Sequence, residues 1–254
     1  MSGCNGKMGQ VITGICKEDA DIEIVAGIDL YDGIKNDYPV FPNISVCDVA
    51  ADVIIDFSNA KAVDDLLVYS VDKQIPVVLC TTGLSEEQLK KVDGASKKVA
   101  VLKSANMSLG INMLMELLKQ AATILAPAGF DMEIVEKHHN QKLDAPSGTA
   151  ITLAEGVIAG LPAKTEWVNY APGIEHAANR IGSPAEATPR QVVIDSVREG
   201  MVPGIHTVTY ESEDDILELK HTIKNRRTLA MGAVIAAEFL CGKQGVYSMD
   251  DLLK

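Results

Sequence analysis

The sequence predicts an α/β chain: a Rossmann-type parallel sheet domain, then a second, α+β domain with an open mixed sheet. Three observations carry that expectation. Apolar, β-branched runs alternate with helix-like segments through residues 21–102, the pattern of a parallel sheet covered by helices. Gly3, Gly6 and Gly9 stand three apart where a helix opens. Asp29 closes the first β-branched run, about twenty residues past the glycines, where dinucleotide-binding units place an acid on the ribose hydroxyls.

Taken in order, residues 2–9 (SGCNGKMG) form a glycine-rich turn that leads into a helix at 8–12. Such a turn lets backbone amides approach a pyrophosphate. Glycines also make ordinary turns, so the loop takes its meaning from the strand at 21–28 (DIEIVAGI) and from Asp29. One part of the pattern is missing: only Met1 and Ser2 precede Gly3, where the central strand normally runs. Losing that strand should cost more than the usual margin of about 5–15 kcal/mol. The expectation is a chain that begins further upstream, or else a fold that tolerates a truncated first strand. The intact mass of the natural protein separates the two.

Residues 52–57 (DVIIDF), 75–80 (IPVVLC) and 99–102 (VAVL) are apolar runs of the kind found in strands buried on both faces. A helix follows at 60–69, and Ser85-Glu86-Glu87 opens another with a cap. Thr81-Thr82-Gly83 and Ala105-Asn106-Met107 fall at strand carboxyl ends, where ligands of parallel sheets lie; plain turn chemistry explains them equally well. Residues 107–125 form a long apolar helix that leads out of the first domain. Residues 161–190, rich in Pro, Gly and Ala, read as a long loop, with His176 exposed on it. A strand at 192–197 precedes an antiparallel hairpin of 205–210 and 216–223. Its His206 and His221 read as core-facing and hydrogen-bonded rather than catalytic. An apolar helix at 230–240 packs back on the first domain.

Composition excludes several functions. The net charge of −12 argues against nucleic acid and anionic membranes. It also means that an anionic substrate needs a local basic patch. No run approaches the roughly eighteen apolar residues of a membrane span, and no secretory pattern opens the chain. The five cysteines are scattered, odd in number and without metal-like spacing, and read as reduced thiols in a cytosol.

Residues 132–150 concentrate the chemistry. A β-like run leads to adjacent His138 and His139, then Lys142, then the loop Asp144-Ala145-Pro146-Ser147-Gly148-Thr149-Ala150 that opens a helix. Ser147 or Thr149 can cap that helix, whose first N–H groups lack partners. With the helix dipole they make a carboxylate site. The histidines transfer protons near neutral pH, and Lys142 is a proton donor or a second anion anchor. Each residue type alone is more often structural or solvated. Together in one short segment they favour a site that holds and protonates an anion. Adjacent histidines on a strand alternate faces, which argues against one shared metal ion.

The same stretch resembles the signature of the 4-hydroxy-tetrahydrodipicolinate reductase (dihydrodipicolinate reductase) family. That pattern is Glu-Ile/Val-x-Glu-x-His, three residues, then Lys-x-Asp-x-Pro-Ser-Gly-Thr-Ala. Glu133, Ile134, Glu136, His138, Lys142, Asp144 and 146–150 fill it. The resemblance extends to Ala105, Asn106, Ser108, Gly110 and Asn112, to Pro203-Gly204 and His206-Thr207, and to Arg226, Thr228, Ala230, Gly232 and Ala233. It implies reduction of a cyclic dicarboxylate, 4-hydroxy-tetrahydrodipicolinate, by NADH or NADPH, on the way to diaminopimelate and lysine. It implies a dinucleotide-binding domain of 1–106 with 230–254, a substrate-binding and oligomerisation domain of 107–229, and a homotetramer in the cytoplasm, with no metal.

By the same resemblance, Gly3, Asn5, Gly6, Lys7, Met8, Gly9 and Asp29 hold the dinucleotide. Thr81, Thr82, Gly83, Ala105, Asn106 and Met107 line the nicotinamide. His139, Lys142, Ser147, Gly148 and Thr149 bind the substrate carboxylates. His138 and Lys142 carry the acid–base role, with Lys142 as proton donor at a lowered pKa. Two departures stand out: Met107 and Leu229 replace common phenylalanines. Leu30-Tyr31 follows Asp29 without a cation for a 2′-phosphate, although Lys7 can still reach one. The expectation is therefore NADH preferred or dual use. The rival readings are another two-domain Rossmann reductase, with Cys80 the one candidate nucleophile, and a dinucleotide-sensing protein without catalysis.

Overall fold

The structure is a computed structural model and describes residues 1–161, 166–188 and 190–253. The chain begins with α1 (Lys7–Glu18), β1 (Gly27–Ile28), β2 (Val40–Phe41), β3 (Ile54–Asp56), α2 (Ala60–Lys73), β4 (Val77–Leu79), α3 (Glu86–Ser96) and β5 (Val101–Lys103). It continues through α4 (Leu109–Leu125), β6 (Asp131–His138), α5 (Gly148–Ala159), β7 (Glu166–Tyr170), β8 (Arg180–Ile181), β9 (Gln191–Arg198), β10 (Ile205–Glu211) and β11 (Ile216–Thr222). It closes with α6 (Arg227–Leu240), β12 (Val246–Tyr247) and α7 (Met249–Leu252). Two compact units result, Met1–Leu109 with Arg226–Lys254, and Gly110–Asn225. Among the described residues no helix is long and apolar enough to cross a membrane.

The first unit is doubly wound. Its parallel sheet runs β12-β5-β4-β3. Side chains alternate across it, as strand geometry requires. Val78 and Leu102 join Ile12 and Ile15 of α1 and Ala233 and Leu240 of α6. Val77, Leu79 and Val101 face Val63 and Leu66 of α2 and Val92 of α3. Ser85 and Gln88 close a capping box on α3, as the sequence predicts.

At the centre of the sheet one residue replaces a strand. Ser2 bridges both Ile28 and Asp56, with Ser2 N–H on Ile55 O at 2.9 Å and Phe57 N–H on Ser2 O at 3.1 Å. The strand expected at 21–28 shortens to Gly27–Ile28, which pair with Val40 and Phe41 and, at Ile28, with Ser2. Beside them lies a cavity of about 270 Å³, lined by residues such as Ile12, Ile22, Ile24, Val53, Ile54 and Val234. The Met1 ammonium donates to Ala26 O at 2.7 Å, and burial lowers its pKa.

The second unit carries a six-stranded mixed sheet, β11-β10-β6-β9-β7-β8. β10 is antiparallel to β11 and β6; β6, β9, β7 and β8 pair in parallel. Helices α4 and α5 cover one face through Leu114, Leu118, Leu153 and Val157. The loop expected at 161–190 is corrected in part. Residues 166–170 (EWVNY) form a strand paired with β9, because an aromatic and β-branched run beside an open edge completes the ladder. Pro162 and Pro189 of that expected loop lie outside the described residues.

Candidate active site

Register builds the site. Val208, Ile134 and Ile194 lie side by side across β10, β6 and β9, and all are buried beneath the helices. Two residues further along β6 the same face turns polar. His206, Glu136 and Ser196 form the next row, and His138 beside Arg198 forms the one after. A strand shows one face every second residue, so Glu136 and His138 share it.

Glu136 is fully buried. Its Oε1 accepts from Arg198 Nη2 at 2.9 Å and from the Ser147 N–H at 3.2 Å. Its Oε2 lies 2.5 Å from His138 Nδ1, without the alignment of a good hydrogen bond. Burial pushes the Glu136 carboxyl up, but His138 and Arg198 outweigh it and hold the pKa at about 2. Arg198 Nη2 also donates to Asp144 O at 2.6 Å, tying the following loop to the sheet. His206 Nε2 is 3.1 Å from Ser147 Oγ, and its ring meets that of His138 edge-on at 5.1 Å. Burial, then the His138 charge, depress the His206 pKa to about 3, so this imidazole is neutral at ordinary pH. Ligating atoms of Glu136, His138 and His206 lie within 4.8 Å of one another, a metal-sized cluster. The Arg198 guanidinium already supplies positive charge to that carboxylate.

The loop after β6 carries the other expected residues. Lys142 Nζ contacts both Asp144 carboxylate oxygens at 2.8 Å. His139 is half-buried and follows the last residue of β6. Ser147 caps α5, its Oγ accepting the Ala150 N–H at 3.2 Å, and Gly148 opens the helix with Thr149 next. This arrangement offers donors for a carboxylate and a neighbouring lysine and histidine for proton transfer.

The first unit holds the glycine loop. Gly6 precedes α1, and no side chain caps that helix start, so the amides near Lys7, Met8 and Gly9 stay available for an anion. Gly3 has φ +74°, and a Cβ there would lie 2.5 Å from Phe57 O. A Cβ on Gly9 would lie 2.3 Å from Gly3 O. Asp29 accepts the Asn5 N–H at 2.9 Å and the Tyr31 N–H at 3.0 Å, pinning the loop to the end of β1. Asn5 also bonds Tyr31 O and accepts from Asn36 at 2.8 Å. These features fit a dinucleotide: an uncapped helix start for phosphate and a fixed acid for ribose.

At the other strand ends, Thr81 Oγ1 donates to buried Asp56 Oδ2 at 2.6 Å. Beyond it, Thr82 is exposed and Gly83 has φ +72° with open space around it. Ala105 is exposed and Asn106 half-buried. Met107 is only 2% exposed and belongs to the core under α6, because an apolar chain at that position finds the helix contact more favourable than solvent. Sequence reasoning ended its strand at residue 197 and passed over Arg198; His206 is buried and hydrogen-bonded, as expected. The signal that could have found Arg198 was the two-residue spacing of Glu136 and His138 on a strand, which demands a partner for the buried carboxylate.

The family description "Dihydrodipicolinate reductase, N-terminus" matches residues 1–107, and "Dihydrodipicolinate reductase, C-terminus" matches 110–253. The 4-hydroxy-tetrahydrodipicolinate reductase of Clostridium novyi is 45% identical over 256 residues, covering 100% of this chain and 97% of its own. That of Caldanaerobacter subterraneus is 43% identical over 257 residues, covering 99% and 96%. A solved structure, dipicolinate-bound dihydrodipicolinate reductase from Paenisporosarcina sp. TG-14, shares the fold with TM-score 0.80 at 24% identity, over 97% of this chain and 95% of that one.

Proposed function

We infer, from the fact that this chain belongs to the dihydrodipicolinate reductase family, that it is an NAD(P)H-dependent oxidoreductase of diaminopimelate and lysine biosynthesis. Its substrate is 4-hydroxy-tetrahydrodipicolinate and its product tetrahydrodipicolinate. The observation that carries this reading is the segment from Glu136 to Thr149, where buried His138, Lys142 and the capped start of α5 come together in one unit.

Each residue then has a task. Gly3, Asn5, Gly6, Lys7, Met8 and Gly9 present backbone donors to the pyrophosphate, and Asp29 takes the ribose hydroxyls. Thr81, Thr82, Gly83, Ala105 and Asn106 position the nicotinamide ring, with Met107 supporting them from the core. The nicotinamide supplies the hydride when bound. His139, Ser147, Gly148 and Thr149 hold the substrate carboxylates, and Lys142 adds its charge. Lys142 delivers the proton that accompanies hydride addition, and His138 stands beside it as the second acid–base group. The first unit is the dinucleotide-binding domain, and the second binds substrate and forms a homotetramer. The protein works in the cytoplasm.

NADH is preferred or both cofactors serve. Leu30 and Tyr31 are exposed at 87% and 61% beside Asp29, and a 2′-phosphate there would meet a carboxylate with no guanidinium to offset it. NADH oxidation, with substrate made in situ from pyruvate and aspartate semialdehyde by the preceding synthase, tests the whole reading. Turnover should fall about 10²–10⁴-fold in Lys142→Ala, the usual worth of a general acid. A folded chain that binds NADH but turns nothing over would refute it, and a clear NADPH preference in matched saturation kinetics would refute the cofactor assignment.

A further inference from the structure

We propose that Glu136 is the positioning residue of the reaction: from beneath the site it fixes the His138 ring and the substrate loop 144–147 as one unit. The proposal rests on the reductase reading for what His138 does, but not for how it is held.

The geometry makes Glu136 a hub. Its two oxygens meet three groups from three separate segments: His138 on its own strand, Arg198 on β9, and the Ser147 amide at the start of α5. A second route reaches the same loop, since Arg198 Nη2 bridges Glu136 and the Asp144 carbonyl. The loop is therefore held at both ends, Asp144 through Arg198 and Ser147 directly. An uncompensated carboxylate without solvent would be expelled from this position; two basic side chains and an amide keep it.

The contact with His138 has a specific consequence. A carboxylate oxygen and an unprotonated ring nitrogen would set lone pair against lone pair at 2.5 Å. The proton of neutral His138 therefore sits on Nδ1, and Nε2 is left as its basic nitrogen. That nitrogen lies over Gly204, where a Cβ would stand 3.1 Å away; the missing side chain leaves it room. The charged and titratable groups around Glu136 are His138 on β6, Arg198 and Asp195 on β9, His206 on β10, and Lys142 and Asp144 on the loop. His206 neither replaces nor repels Arg198, because it is neutral and engaged with Ser147.

The test has two independent parts. Glu136→Gln keeps size and one acceptor but loses the charge. Turnover number should fall roughly 10–100-fold, the usual worth of a group that orients a histidine, while NADH affinity by fluorescence titration stays unchanged. In the unmodified protein, histidine ¹⁵N–¹H correlation at pH about 9, above the ordinary histidine range, should show His138 protonated on Nδ1. Glu136→Gln should shift that signal toward the Nε2 form. A folded Glu136→Gln with wild-type turnover would overturn the proposal. So would an Nε2–H tautomer of His138 in the unmodified protein, which decides the matter even where the variant does not fold. Absence of turnover in the unmodified protein would instead sink the reductase reading, and the tautomer would still report on Glu136.

Discussion

Replacing Gly232 by alanine should separate packing from chemistry. Gly232 lies on α6, and a Cβ built there would stand 1.7 Å from the Met107 carbonyl oxygen and 2.9 Å from its carbon. Carbon and oxygen normally approach to about 3.2 Å, a little inside the usual carbon–carbon contact of about 3.5–4.0 Å. Either α6 or the 105–107 loop must therefore retreat by roughly 1.5 Å, and the obstructing atom is backbone, which no rotamer change can move. The helix cannot slide freely, since Ala230, Ala233, Val234 and Ala237 around it are packed into the same core. Overpacking typically costs about 1–3 kcal/mol, and this case belongs at the upper end, near ~3 kcal/mol. Urea unfolding followed by far-UV circular dichroism reads that directly. Gly14→Ala is the control. It lies on α1, a Cβ there meets nothing within 4 Å, and it should stabilise by about 0.5–1 kcal/mol through helix propensity. Displacement of the loop should also weaken NADH binding in Gly232→Ala, as Ala105 and Asn106 move with Met107. Equal midpoints for Gly232→Ala and wild type would show that this backbone approach is not a constraint, and the link from α6 to the cofactor loop would fall with it.

Acid should unfold the second unit early. The Glu136 carboxyl has its folded pKa held at about 2 against an unfolded 4.5, so its contribution is present above pH 4.5 and is lost as pH falls through 2. That 2.5-unit difference corresponds to on the order of 3 kcal/mol. His206 acts in the same direction over a higher window. Neutral in the fold, with a pKa of about 3 against 6.5, it stabilises above pH 6.5, and that stability is lost as pH falls toward 3. Urea midpoints between pH 7 and 3 should drop steeply in wild type and less so in His206→Asn; parallel curves would contradict the assignment.

The parts of this protein legible in its sequence are those set by neighbours along the chain. The glycine turn opening α1, the Ser85–Gln88 capping box and the Ser147 cap are each closed within a few residues. So is the 205–223 hairpin, whose register puts His206 opposite His221. What failed depended on partners far away. The β-branched run at 21–28 has the composition of a strand, yet only Gly27 and Ile28 pair, because composition does not supply the adjacent chain that a ladder needs. The run at 166–170 became a strand for the opposite reason: β9 offered it an open edge.

The site shows the same division more sharply. Composition alone brought out His138, His139 and Lys142, since all lie in one segment. Glu136 stood in plain view two residues before His138 and carried no visible partner, because Arg198 lies 62 positions away and joins it through the β6–β9 register. His206 meets Ser147 across 59 positions through the β6–β10 register. A buried carboxylate on a strand is itself the clue. It cannot remain charged without a cation within reach on a neighbouring strand, so a Glu136 buried in β6 requires an arginine or lysine on β9 or β10. Arg198, one row further along β9 beside His138, reaches back to meet that requirement, and on the other side stands a histidine kept neutral by burial. Exchanging the two would set a buried cation beside Ser147 and take from Glu136 its present ion pair with β9. Arginine stays charged on burial while burial keeps His206 neutral, so the carboxylate draws its permanent positive charge from β9.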